Sequence, residues 1–320
     1  MRFLFWFLLI TTALVRVVFS RPHYKDGQIL RIRTYINTEP SYSLTNQKIN
    51  VEGIVVIIPK GLPVRYGDFI MLEGEIRGGT ILKPKILKIT PPKGLLFNIR
   101  NKILKFYTQT LPQKEASLIS GIVLGSKENL SFDFWNRLKN SGTAHVVVAS
   151  GTNVTFIASY LVSFLTIFFK RRKLIFIVLA GIWIYCVFAG MDTPIIRAGL
   201  MASIVFTSQI LGRVVSFWRV LLLVFLGMLS WQPLWIFDLG FILSFASCAA
   251  LVVFSKPIGS RLKIFPGIIR ESLSVSMAAT IGVSPILYFI FGYINILSPV
   301  INAFVLWTTP PIMIIGMAAG

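Results

Sequence analysis

The chain has 320 residues, 55% of them hydrophobic and 14% charged, with 32 Lys and Arg against 12 Asp and Glu and a formal net charge of +20. A soluble domain is about 25% charged, so this chain lacks the charge to cover a water-facing surface of its size. Its apolar excess is gathered into runs near the roughly 20 residues that carry a helix across a bilayer core, which points to a membrane protein.

Residues 1–20, MRFLFWFLLITTALVRVVFS, read as a membrane anchor. No small-x-small cleavage site follows, and Arg16 stands where it could snorkel to the interface, which favours an uncleaved anchor over a cleaved signal peptide. The polar region 21–114 holds 16 basic and 6 acidic residues. A basic, water-facing domain attracts nucleic acid or anionic lipid, and charge alone leaves both open.

Between Gln28 and Ile89 the pattern alternates with a period of two, the signature of half-buried strands. Leu30, Ile32, Thr34 and Ile36 fall on one face, with Arg31, Arg33 and Tyr35 on the other. Ile49, Val51, Val55 and Ile57 alternate likewise, and Pro59–Lys60–Gly61, Tyr66–Gly67–Asp68 and Gly78–Gly79 punctuate the runs. Pro84, inside ILKPKILKI, marks an edge strand, since proline cannot donate to a ladder. Several short strands closed by Pro91–Pro92 indicate a small barrel or sandwich over residues 21–92.

Residues 93–140 read as interfacial helices. Leu96, Ile99, Ile103 and Phe106 form one apolar stripe beside Arg100, Lys102 and Lys105, and Gly121 and Gly125 offer close helix approach. Seven apolar runs follow, at 144–169, 174–191, about 195–212, about 220–237, 236–254, about 273–293 and about 298–320, and two of them nearly merge around Pro233. With the anchor they predict about eight spans. Lys170–Lys173, Arg213 with Arg219, and Lys256, Arg261, Lys263 and Arg270 recur at every second loop. The positive-inside rule places those loops, and Met1, in the cytoplasm and the strand-rich domain outside.

Polar groups at membrane depth must pair, line a cavity or cap a broken helix. His145, Ser150, Gly151 and Asn153 interrupt the run 144–169 and read either as a helix start with hydrogen-bonded core groups or as channel lining. Arg197 follows Asp192 by five residues, and Asp192 is its candidate partner; Asp238 lies inside WIFDLGFILSFA. For each, structural pairing and pore lining stand as equal alternatives. Cys186 and Cys248 lie in apolar runs and read as packing residues. With two histidines, His23 and His145, no metal cluster or cofactor site emerges, and Ser150 and His145 stand five apart, on different faces of an ideal helix. That spacing argues against a serine hydrolase.

The ordered segments resemble the competence domain of the ComEC-type DNA-internalisation proteins. GIVLGSKENLSFDFWNRLKNSGTAHVVVASGTNV, GMDTPIIRAGLM, LGR at 211–213, WQPLWIFDLGFILSFAS and SPILYFIFGYINILSPVINAF are similar to that family's motifs, in the right order over about 115–310. YGDFIMLEGEI is similar to the OB-type domain that precedes it. Asn153 stands where the family often carries histidine, and Thr193–Pro194 replaces its small-residue/Ser pair.

The resemblance implies a polytopic α-helical membrane protein of the bacterial cytoplasmic membrane with a small all-β, OB-like extracytoplasmic domain. It also implies a DNA-uptake channel, spanning 141–320, that passes single-stranded DNA. His145, Ser150, Gly151, Asn153, Asp192, Arg197 and Asp238 would be its lining candidates, and Arg31, Arg33, Tyr35, Lys83, Lys85 and Lys88 its DNA-binding candidates. Membrane lipids, other competence proteins and a separate nuclease are the expected partners. The family's further spans and its metallo-β-lactamase-like domain have no counterpart in this sequence, so a non-enzymatic, truncated or split product is expected. The alternative is a transporter or envelope-assembly protein whose basic domain binds anionic lipid or polymer.

Overall fold

The computed structural model describes residues 2–20, 26–43, 45–51, 53–59, 61–62, 64–147, 150–292 and 294–320. His23, Lys60 of the expected Pro59–Lys60–Gly61 turn, and Val148–Ala149 of the 141–156 stretch lie outside the described residues.

Helix α1 (Arg2–Phe19) is followed by strands β1 (Ile29–Tyr35), β2 (Ser41–Tyr42), β3 (Asn46–Val51), β4 (Ile54–Pro59), β5 (Phe69–Arg77), β6 (Thr80–Leu82) and β7 (Lys85–Thr90). Their order in the sheet is β1-β5-β6-β4-β3-β2, with β7 also on β5. β4 and β6 run parallel, and the other pairs are antiparallel. The result is a half-barrel, in which no pairing joins β1 to β3 among the described residues. Gly78 and Gly79 both take positive φ, 56° and 71°, and join β5 to β6 by the two-residue turn whose twist suits a hairpin. The interior is aliphatic: Val56, Ile58, Leu72 and Ile81 are fully buried, with Leu30, Ile32, Ile86 and Ile89 packed around them. The expected alternation in β1 is therefore present, with Leu30 and Ile32 inward and Arg31, Arg33 and Tyr35 exposed.

Helices α2 (Leu95–Thr110), α3 (Gln113–Leu124), α4 (Phe132–Ser141) and the short α5 (Ala144–Val147) follow the half-barrel. Helix α2 packs only part of the apolar stripe expected at the membrane surface onto the protein. Its inward face is Arg100, Leu104 and Tyr107, while Ile99 and Phe106 are exposed. The reason is Arg100, whose buried ion pair and carbonyl bonds turn the helix by about one position. Gly121 faces the Val147 carbonyl, and Gly125 is the left-handed C-cap of α3.

Among the described residues the apolar runs beyond residue 144 form helices: α6 (Gly151–Leu165), α7 (Arg171–Phe188), α8 (Thr193–Ile210), α9 (Phe217–Trp231), α10 (Leu239–Arg261), α11 (Gly267–Phe291) and α12 (Ser298–Ala319). The two runs that nearly merge at Pro233 are separated by a 3-10 turn, Pro233–Phe237, and by Asp238, which caps α10. Among the described residues, three helices are long and apolar enough to cross a membrane: Leu239–Arg261, Gly267–Ile290 and Ser298–Ala319. Large apolar side chains such as Phe289, Ile296 and Phe304 point outward, as on a surface that meets lipid rather than water. Helix α1 packs on α9, burying Ala13, and Arg16 donates to the Ser230 carbonyl at the negative end of that helix.

Candidate nucleic-acid face and the helix-bundle polar cluster

Two groups of polar side chains stand out, one on the half-barrel and one where α6, α8 and α10 meet.

On the half-barrel, register brings five of the six nominated DNA-binding residues onto one face. Arg33, Met71 and Lys88 form one cross-strand row, Arg31, Glu73 and Lys85 the next, and Tyr35, Phe69 and Thr90 a third. Lys85 and Lys88 are three apart, so simple alternation would send them to opposite faces. A bulge where Leu87 interrupts the β5–β7 register restores both to the outside. Tyr35 and Phe69 lie with ring centroids 5.0 Å apart, and Tyr35 is 60% exposed. Lys83 stands apart at the break between β6 and β7, with φ 48° and its N–H on the Ile57 carbonyl.

The half-barrel is tied to the helices by charges. Arg100 bonds the Glu39 carboxylate at 2.9 Å, the Phe188 carbonyl at 2.9 Å and the Leu124 carbonyl at 3.2 Å, and lies 5.2 Å from the Tyr66 ring centre. Asp192 accepts from Lys127 Nζ at 3.0 Å and from the Glu39 backbone N–H at 3.3 Å. Arg65 pairs with Glu128 at 2.9 Å. Burial pushes the Glu39 carboxyl above its ordinary range despite the attraction of Arg100 and Lys127. Burial, the largest single influence, works against the charge on Lys127, but Asp192 together with Glu39 and Asp238 outweighs it and the pKa is raised. Sequence reading missed Glu39, Arg100 and Lys127, because the partners lie 61 and 65 residues apart and share no local pattern.

Asp192 is therefore not the partner of Arg197. The Arg197 guanidinium donates through Nη1 to the Ser244 carbonyl at 2.6 Å and to Cys248 Sγ, over the Phe245 ring at 5.8 Å. Arg197 is 7% exposed, and its Nε has no hydrogen-bond partner. Gly151, the first residue of α6, faces it: a Cβ there would come within 2.8 Å of Nη2. Asn153 is fully buried and donates to the Ile122 carbonyl at 2.9 Å. Ser150 Oγ contacts Thr152 Oγ1 at 2.5 Å and Asn153 Oδ1 at 3.2 Å. Asp238 accepts from the Phe241 N–H at 2.7 Å and from Thr193 Oγ1 at 2.6 Å, the satisfied-cap reading of that residue. Ser150, Gly151, Asn153 and Arg197 thus gather at one crossing. His145 is exposed on α5, which packs on α3, α4 and α12.

A basic half-barrel seated on a bundle of apolar helices with a buried arginine defines a class: a helical protein with an outlying basic β module. The family model described as Competence protein matches residues 122–320, and the chain belongs to that family. A curated relative, ComE operon protein 3 of Bacillus subtilis (strain 168), is 23% identical over 208 residues, covering 65% of this chain and 26% of its own length. The chain spans about a quarter of that relative. No solved structure matches significantly.

Proposed function

We propose that this chain takes part in DNA uptake during natural transformation, passing one DNA strand across the bacterial cytoplasmic membrane. The observation that carries the reading is the convergence of Arg31, Arg33, Lys85 and Lys88 with the Tyr35–Phe69 pair on one exposed face of the half-barrel. Cations that track phosphates and rings that stack bases are the two requirements of sequence-tolerant single-strand binding. Membership of the competence family supplies the context.

The strand connectivity supports an OB-like reading. Leaving aside the two-residue β2 and taking β6 and β7 as one broken strand, the chain follows a five-stranded Greek key with its third and fifth strands, β4 and β6–β7, parallel, opened between the first and second, β1 and β3. We read α1 and α6 to α12 as eight spans, with the basic loops after α6, α8 and α10 in the cytoplasm and the half-barrel outside. The half-barrel touches Glu128 and Asp192, on the side which that charge pattern assigns to the exterior. In this reading the chain is a conduit, and strand degradation belongs to a separate nuclease.

The test uses the full chain in lipid nanodiscs with labelled oligothymidylate over a salt series. Arg33→Glu with Lys88→Glu is expected to weaken binding and to flatten the salt slope by roughly 0.7 for each phosphate no longer neutralised. The same variant should accumulate in the membrane and lose transformation. Unchanged binding and uptake would remove the face from the function, and equal competition by anionic vesicles would favour a lipid-binding role.

A further inference from the structure

We propose that the N-terminus of α6 and the Arg197 guanidinium form a subsite for a single phosphoryl group, a phosphodiester or phosphate. That its physiological ligand is the DNA backbone rests on the uptake reading; the subsite itself rests on the following geometry.

Helix α6 has 15 residues. Ser150 sits at its N-cap in extended conformation but makes no capping bond to the backbone, because its hydroxyl is turned to Thr152 and Asn153. The first amides of a helix lack partners within it and form its positive end, a ready anion site. An arginine is the wrong neighbour for such an end, yet Arg197 Nη2 points at Gly151. Its own Nε is buried without a partner. Among the described residues no salt bridge joins Arg197 to an acid, and Asp192 and Asp238 bond elsewhere, Asp192 to Lys127 and Asp238 to Thr193 and the α10 amide. Two positive groups therefore face each other across a glycine, and a buried charge of this kind is costly unless compensated.

A phosphoryl group supplies the negative charge and the several acceptor oxygens that a guanidinium fork and helix amides match. Glycine at 151 lets the guanidinium lie against the start of the helix, since any Cβ would press on Nη2. Ser150 is half-buried and Thr152 exposed, so the site has an open side. Arg197 lies five residues past Asp192, roughly 7 Å along α8. Asp192 in turn holds the Glu39 backbone of the half-barrel, so the subsite lies just inside the point where that domain docks.

The experiment measures thermal-unfolding midpoints of the full chain in phosphatidylcholine nanodiscs with inorganic phosphate, dimethyl phosphate or chloride at equal ionic strength. Phosphate and dimethyl phosphate, but not chloride, should raise the midpoint of the wild type and equally that of the Arg33→Glu/Lys88→Glu variant. Gly151→Ala and Arg197→Gln should each weaken that response about tenfold or more in apparent affinity. Gly151→Ala displaces the guanidinium tip but keeps its charge, so it carries the test if Arg197→Gln does not fold. No phosphate-specific rise in the wild type, or an undiminished one in Gly151→Ala, would overturn the subsite. Competition by oligothymidylate supports the DNA backbone as ligand. Competition by phosphatidylglycerol alone supports the subsite while assigning it to a lipid headgroup, which removes this point from the DNA path. Loss of uptake in the half-barrel variant with an intact phosphate response tests the uptake reading separately.

Discussion

Arg100 is held inside the molecule by the Glu39 carboxylate, two backbone carbonyls and the face of Tyr66. Removing one member of a buried pair strands the other, which costs about 3–5 kcal/mol. Arg100→Leu is expected to lower stability by that amount and to loosen the half-barrel from the helices, read as a lower unfolding midpoint and new protease cuts between 90 and 95. Glu39→Gln should cost less, because Arg100 keeps both carbonyls. The pH dependence of Glu39 has a definite sign. A carboxyl whose folded pKa is raised contributes stability that is complete below its ordinary 4.5 and is lost as pH rises through the raised value. The wild-type midpoint should therefore rise relative to Glu39→Gln as pH falls from about 8 toward 4.5. A fall would mean that the ion pair outweighs burial.

At the scale of elements, the bulge in β7 decides what the half-barrel presents. The sequence KILK puts two lysines three apart, and a regular strand would bury one of them. Leu87 is the extra residue, exposed and without a cross-strand partner. Deleting it should leave Lys85 and Lys88 two apart and both outside in a regular strand, so stability and oligothymidylate binding are both expected to be retained. Urea unfolding and anisotropy on the same sample check both. Helix α2 teaches the converse. Its apolar periodicity was legible, but the buried face was not, because an arginine in an apolar helix looks solvent-bound until its acceptors arrive from Glu39, Leu124 and Phe188.

At the scale of the whole molecule, the charge pattern of the loops and the docking contacts agree. The half-barrel meets the loop before α8, which carries Asp192 and no Lys or Arg. A membrane-impermeant maleimide applied to intact cells is expected to label Leu82→Cys, 57% exposed on β6, and not Val214→Cys in the loop after α8. The reverse pattern would invert the proposed topology. The outward apolar side chains of α11 and α12 give the same bundle the lipid-facing exterior that such a topology needs.

The basic half-barrel with its outer Arg31, Arg33 and Tyr35 was determined by the sequence itself, as were the succession of apolar helices and the family motifs. Period-two and long-run hydrophobicity are local properties, and burial of apolar surface follows them directly. Only the tertiary structure decided which charges meet. It gave Asp192 to Lys127 rather than to Arg197, set Arg197 against the start of α6, and buried Arg100 with Glu39. Those pairings join residues 46 to 65 positions apart, whose meeting depends on helix docking and on no spacing that a chain read in order can display.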